Sequence, residues 1–117
     1  MLFGSKSPIA VIDSGLGGLK LCKKLRNEYG EENIIYFADD DFMPYGNKTY
    51  NQLKSRLEKI INQLIDSFDI KMAVLACNTI SAIFLRSKLR FDIPVFVVSP
   101  IDFDATVICT KMTAKLY

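Results

Sequence analysis

Histidine is absent from the 117 residues. That excludes an imidazole general base, a cysteine–histidine dyad and any histidine-based metal site within the chain. Cysteine is scarce: three residues, at 22, 77 and 109, odd in number and without a CxxC pair. Neither a disulfide framework nor a zinc site is expected from that set, and a reducing, cytoplasmic setting fits it. No apolar run approaches the roughly 20 residues of a membrane span. The longest, near 72–77 and 95–98, are far shorter, and residues 1–6 lack the apolar stretch of a signal peptide. Nor does one sign of charge dominate, with 15 Lys and Arg against 13 Asp and Glu, a net +2, interspersed along the chain. There is no basic stripe for nucleic acid and no acidic tail, so neither a nucleic-acid nor a membrane partner is expected. Internal repeats and low-complexity segments are also missing.

What is present is apolar. Half of the residues are hydrophobic, enough to build the core of one small domain. The run at 9–12, after Pro8, reads as a buried strand, and Asp13-Ser14-Gly15-Leu16-Gly17-Gly18 breaks it into a loop. Helical spacing of Cys22, Leu25 and Tyr29 predicts a helix over 19–29, with Gly30 stopping it as a C-cap. A second strand is predicted at 33–38, followed by a polar loop over 39–48. The clearest helix comes next: Tyr50, Leu53, Leu57, Ile60, Ile61, Leu64, Ile65 and Phe68 share one face, and Thr49 with Gln52 are spaced as a capping box. A third strand over 72–76, a helix over about 80–89 and a fourth strand over 93–98, closed by Ser99-Pro100, complete the pattern.

Strands alternating with helices predict an α/β fold: a single doubly wound domain with a four-stranded, mainly parallel sheet flanked by helices. Ligands of such folds bind outside the carboxyl ends of the strands. The residues just after the strands are therefore the candidates: Asp13-Ser14, Asp39 with the loop to Gly46, Cys77-Asn78-Thr79, and Ser99-Pro100.

Cys77 lies between a strand and the first turn of a helix, where backbone N–H groups and the helix dipole favour an anion, and a thiolate is such an anion. A buried structural cysteine is the competing reading. Asn78 or Thr79 can cap that helix or hydrogen-bond a carboxylate ligand. Asp13 and Ser14 can hold an ammonium group or tune a nearby thiol. Equally, Asp13 can serve only to satisfy the amides of its own turn. The 15–18 glycine turn is neither GxGxxG nor a P-loop, so a nucleotide site is a weak third reading. Pro44-Tyr45-Gly46-Asn47-Lys48 is a turn whose amides can bind a carboxylate, or simply an exposed turn. Asp39-Asp40-Asp41 is read as a solvated acidic loop and not as a metal cluster; no metal ligand is assigned. Cys22 is expected in the core.

Taken together, Ile12-Asp13-Ser14-Gly15-Leu16-Gly17-Gly18, Tyr36-Phe37-Ala38-Asp39, Pro44-Tyr45-Gly46-Asn47-Lys48 and Ala76-Cys77-Asn78-Thr79-Ile80-Ser81-Ala82 resemble the signature of glutamate racemases, over roughly residues 8–100. Aspartate racemases share the architecture, but the DSGxGG and PYGNK strings are more similar to the glutamate branch. The resemblance implies an amino-acid racemase that uses no pyridoxal phosphate or other cofactor. Two α/β lobes face each other across a cleft, each contributing one cysteine, and D-glutamate is supplied to peptidoglycan synthesis. It further implies that Cys77 is the acid/base of the first lobe, with Asp13 near the thiol. Asp13, Ser14, Pro44, Tyr45, Gly46, Asn78 and Thr79 would bind glutamate.

The family's second-lobe Cys-Thr-His motif has no counterpart. Cys109-Thr110-Lys111 has lysine in place of histidine and fits better in a VxxTxxT run opening a second lobe, Val107 to Thr113. Residues 1–100 are thus expected to form the N-terminal lobe and 101–117 the truncated start of the next. A chain cut at the lobe boundary, a truncated gene product and a degenerate copy fit equally. Racemisation by the chain alone is not expected, and an exposed lobe interface should favour pairing with a second lobe or self-association. A dicarboxylic amino-acid binding module without catalysis and an aspartate racemase lobe are the alternatives.

Overall fold

A computed structural model describes residues 6–98 apart from Leu16. Strands and helices alternate through it: β1 (Ile9–Asp13), α1 (Leu19–Glu28), β2 (Ile34–Ala38), α2 (Tyr50–Phe68), β3 (Met72–Leu75), α3 (Asn78–Ser87) and β4 (Val95–Val97). Two short 3-10 turns, Asp40–Phe42 and Tyr45–Asn47, fill the connection from β2 to α2. Among the described residues the strands pair in the order β2-β1-β3-β4, all parallel, the four-stranded α/β sheet that the sequence predicts.

The sequence accounts for this arrangement. A parallel strand covered on both faces has no solvent side, so it reads as an unbroken apolar run. β1 is such a strand: Ile9, Ala10, Val11 and Ile12 are buried without alternation. Alternation along the strand still sorts the side chains by face. Ala10, Ile12, Ala73 and Leu75 join Leu53, Leu57, Ile60, Ile61 and Leu64 of α2 and Ile80 and Ile83 of α3 in one core. Asp13 is in phase with Val11 and Tyr36 and points to the opposite face, where Gly18 opens α1. The chain steps from β1 to β2, then back past β1 to β3. Right-handed crossovers on opposite headings put α1 on one face and α2 on the other, with α3 packed beside α2.

α2 begins as its sequence predicts. The Thr49 hydroxyl accepts from the Gln52 N–H at 3.2 Å, and the Gln52 side chain accepts from the Thr49 N–H at 2.8 Å. Thr49→Ala should remove about 1 kcal/mol of stability, read as a lowered thermal midpoint with unchanged secondary structure.

Several boundaries differ from those read off the sequence. α1 ends at Glu28 with Tyr29 as its C-cap (φ −130°), whose N–H returns to the Leu25 carbonyl; Gly30 is not a left-handed cap. No residue of α1 is fully buried, so Cys22 is half-buried and not core. Phe68, at the end of the apolar stripe of α2, is 55% exposed. β4 is three residues long, shorter than the expected 93–98. The expected start of a second lobe at 101–117, including Cys109, and the Ser99-Pro100 closure lie outside the described residues. Among the described residues, no helix is long and apolar enough to cross a membrane.

Candidate functional site

Because all four strands run the same way, their carboxyl ends share one edge. The crossovers diverge from β1, one toward β2 and the next toward β3, which makes the β1/β3 boundary the topological switch point where such sheets open a crevice. The loop after β1 and the turn after β3 flank that point. The Ala76 N–H donates to the Ile12 carbonyl at 2.8 Å, which carries the pairing one residue past the strand and sets Cys77 opposite the loop. There the Ser14 hydroxyl meets the Cys77 Sγ at 3.5 Å, across 63 residues of sequence.

Cys77 is half-buried and is itself the N-cap of α3 (φ −95°, ψ 131°), with its carbonyl accepting from the Ser81 N–H at 2.9 Å. The helix therefore starts at Asn78, earlier than expected, and Asn78 and Thr79 lie in its first turn in place of capping it. Asn78 is exposed and Thr79 buried.

Asp13 does the turn-organising work that was one of its two readings. It is 5% exposed, and its carboxylate accepts from the Ser14 N–H at 2.8 Å and the Gly18 N–H at 2.5 Å. The Tyr36 hydroxyl bridges it to the Gly15 carbonyl, 3.2 Å from Asp13 Oδ2 and 2.6 Å from Gly15 O. Burial, then the Asp13 charge, push the Tyr36 phenol above its ordinary range, so it remains a donor. Gly18 is required by space: a Cβ there would stand 3.0 Å from the Ala76 Cβ, 3.1 Å from Asp13 Oδ2 and 3.1 Å from the Tyr36 ring.

Asp39 overturns the reading of a solvated acidic loop. Asp40 and Asp41 are exposed, but Asp39 is 2% exposed. Its N–H donates to the Asp13 carbonyl at 2.9 Å, which turns it inward beside β1. Its carboxylate accepts from Arg56 Nη2 at 2.5 Å, Arg56 Nε at 3.0 Å and the Tyr45 hydroxyl at 2.5 Å. Neither Asp39 as a buried anchor nor Arg56 was found from sequence. The only available signal was that Arg56 falls beside the buried Leu57 and Leu53 face of α2.

Tyr45 is buried at 5%, and its hydroxyl is committed to Asp39, so its side chain anchors the 44–48 turn and does not reach for a ligand. Burial foremost, then Asp39 and more weakly Cys77, drive its phenol far above the ordinary range. Asp39 is bonded to the end of β1 and Tyr45 to Asp39, and Cys77 packs against the core cluster that includes Tyr45, so this turn stands at the same edge as the sulfur. Pro44 is exposed, follows a cis peptide bond, and Gly46 is half-buried. Sequence reasoning thus brought Asp13, Ser14, Tyr45 and Cys77 to one edge correctly. Among the described residues, no group of three or more Cys, Asp or Glu gathers to hold a metal ion.

Burial alone would raise the Asp39 carboxyl, but the Arg56 and Tyr45 hydrogen bonds outweigh it and hold the group below the usual carboxylate range. A group depressed in the folded state contributes stability that is complete above its unfolded value, near 4, and is lost as pH falls through the folded value. The parent chain should therefore lose stability below about pH 4. Acid titrations of the unfolding free energy should show a shallower loss for Asp39→Asn.

No model of a known protein family matches the chain. Individual proteins do match. A glutamate racemase of Trichodesmium erythraeum is 40% identical over 88 residues, 74% of this chain and 32% of that protein. One of Bartonella henselae is 38% identical over 108 residues, 92% of this chain and 38% of its own. Among solved structures, the glutamate racemase of Aquifex pyrophilus superposes with a TM-score of 0.70 at 34% identity, covering 77% of this chain and 36% of that one. The chain belongs to the glutamate racemase family. It spans about a third of the length of the relatives it matches. The Francisella tularensis glutamate racemase, solved in complex with D-glutamate, superposes with a TM-score of 0.67 at 37% identity over 79% of this chain and 35% of that one.

Proposed function

We propose that the described residues supply one half of a glutamate racemase site, with Cys77 as the acid/base on one face of the substrate's α-carbon. The observation that carries the reading is the Ser14–Cys77 contact at the β1/β3 switch point, in a chain whose relatives are named glutamate racemases. A thiolate at Cys77 takes the α-proton from one face. Inversion then needs a proton delivered to the other face of the planar intermediate, because a single base mostly returns the proton to the side it came from. A second lobe bearing its own thiol is the proposed source. Residues 101–117 are proposed to open that lobe.

Within this half, Ser14 and Asn78 offer polar groups beside the sulfur, and Pro44, Tyr45 and Gly46 offer the backbone of their turn to a substrate carboxylate. Thr79 completes the first turn of α3, whose N-terminal dipole favours an anion. Asp13 holds Ser14 and the 13–18 turn in place. No cofactor is needed, since both proton transfers are thiol chemistry. The proposed role is provision of D-glutamate for peptidoglycan in the cytoplasm. The 117 residues alone are not expected to racemise. Leu19 and Met43, 42% and 45% exposed, flank this edge and are proposed to meet a second lobe or a second copy.

Titration of the isotopically labelled chain with D- and L-glutamate tests the reading. Saturable shifts at Ser14, Gly46 and Asn78 are expected, together with slow α-proton exchange in deuterated water that Cys77→Ser abolishes. Saturable binding with no exchange would favour a binding module without catalysis. A flat titration with both enantiomers would overturn both.

A further inference from the structure

The connection from β2 to α2 carries the Pro44-Tyr45-Gly46 turn, yet its own backbone holds it weakly. Its two 3-10 turns are closed by long bonds: Phe42 N–H to Asp39 O at 3.4 Å, Met43 N–H to Asp40 O at 3.3 Å, Asn47 N–H to Pro44 O at 3.4 Å and Lys48 N–H to Tyr45 O at 3.1 Å. The first three lie beyond the upper end of good N–H···O geometry, and the fourth lies just inside it. The side chains are different. Arg56 grips Asp39 with both Nε and Nη2, a fork that fixes direction as well as distance. Asp39 in turn receives the Tyr45 hydroxyl. The Arg56 guanidinium also lies 5.1 Å from the Phe42 ring centroid, Lys48 Nζ stands 5.0 Å from the same ring, and Phe42 meets Tyr45 edge to face at 6.3 Å. All of these contacts gather on the β2–α2 connection, and Arg56 ties its polar side to the long, core-anchored α2, while Tyr45 packs with Leu53 and Leu57 on its apolar side.

We propose that Arg56 is a positioning residue of this site: through Asp39 it fixes Tyr45, and with it the turn 44–48 at the sheet edge that carries Cys77, in the geometry that receives a substrate carboxylate. The proposal rests on the reading of that turn as part of a glutamate site. Arg56 itself is 24% exposed at its side chain and acts one residue removed from any ligand. Among the described residues, Asp39, Tyr45 and Asp41 act on its charge and Lys48 shares the Phe42 ring with it; Asp39 takes its fork. Lysine at 56 would keep the charge and lose the fork.

Two variants, Arg56→Met and Arg56→Lys, separate positioning from folding. The measurement is iodoacetamide modification of Cys77, mapped by mass spectrometry, across a series of D-glutamate concentrations. Arg56→Met should raise the half-protecting concentration about tenfold or more, since misplacement of a binding group by an ångström carries penalties of that order. Its unprotected Cys77 rate should stay within about twofold of the parent, and Arg56→Lys should fall between the two. A merely structural role would instead speed Cys77 and Cys22 together, without ligand. Equal half-protecting concentrations in parent and Arg56→Lys or Arg56→Met would overturn the proposal.

Amide exchange keeps the two claims distinct. If the parent shows no protection by glutamate, the substrate reading fails, and Arg56 is judged on the turn alone. Faster exchange at Asn47 and Lys48 in Arg56→Met, with α2 beyond Leu57 unchanged, would sustain its positioning role. Unchanged exchange at both would end it.

Discussion

Asp39→Ala should lower the unfolding free energy by about 3 kcal/mol, and the thermal midpoint by roughly 10 °C or more. The substitution removes the acceptor of three hydrogen bonds at once. Tyr45 is left with its hydroxyl buried and unpaired, which is costly because desolvation has been suffered without a compensating bond. The estimate sits at the lower end for a broken buried pair because Arg56 reaches solvent and can rehydrate. For a domain whose whole margin is on the order of 5–15 kcal/mol, that is a large fraction. Asp39→Asn should cost less, since an amide oxygen can still accept from Tyr45. Urea titrations of the three chains check the ordering, and a loss below about 1 kcal/mol for Asp39→Ala would contradict the anchor role.

Gly18→Val is the second large effect. Two methyl groups branch from a Cβ that already stands 3.0–3.1 Å from Ala76, Asp13 and Tyr36. Ala76 belongs to the backbone turn after β3, and Asp13 is held by its own turn amides, so neither can give way cheaply. Overpacking of this kind costs about 1–3 kcal/mol for small intrusions, and valine should reach or exceed the top of that range. The consequence is also functional. Displacing Asp13 releases the Ser14 N–H, and Ser14 is the residue that meets the Cys77 sulfur. Gly18→Ala should show a milder form of both effects. Stability measurements should thus rank parent above alanine above valine. Parity between alanine and parent would mean that the contact relaxes without harm.

How much of this was legible beforehand follows from how local each determinant is. The buried parallel strands were readable because double burial demands unbroken apolar runs, as in Ile9-Ala10-Val11-Ile12. The start of α2 was readable because Thr49 and Gln52 satisfy each other within one turn. The convergence of Asp13, Ser14 and Cys77 followed from parallel topology alone. What was hidden depends on partners far apart in sequence. Asp39 looks identical to Asp40 and Asp41 until Arg56, 17 residues later, and the Asp13 carbonyl draw it inward. Tyr45 looked available for a ligand for the same reason. Strand order has no local signal either, so the switch point between β1 and β3 emerged only with the sheet. The end of α1 misled because a glycine after a helix usually marks a left-handed cap, whereas here the chain turns at Tyr29 with a negative φ.

The role given to Cys77 is tested most directly by its alkylation rate near neutral pH, with Cys22 in the same molecule as an internal standard. Both thiols are half-buried, so exposure alone does not separate them. Cys77 is expected to react faster than Cys22, and to be slowed selectively by added D-glutamate while Cys22 is not. A Cys77 that reacts no faster than Cys22 and is indifferent to glutamate would contradict a racemase half-site at the β1/β3 edge.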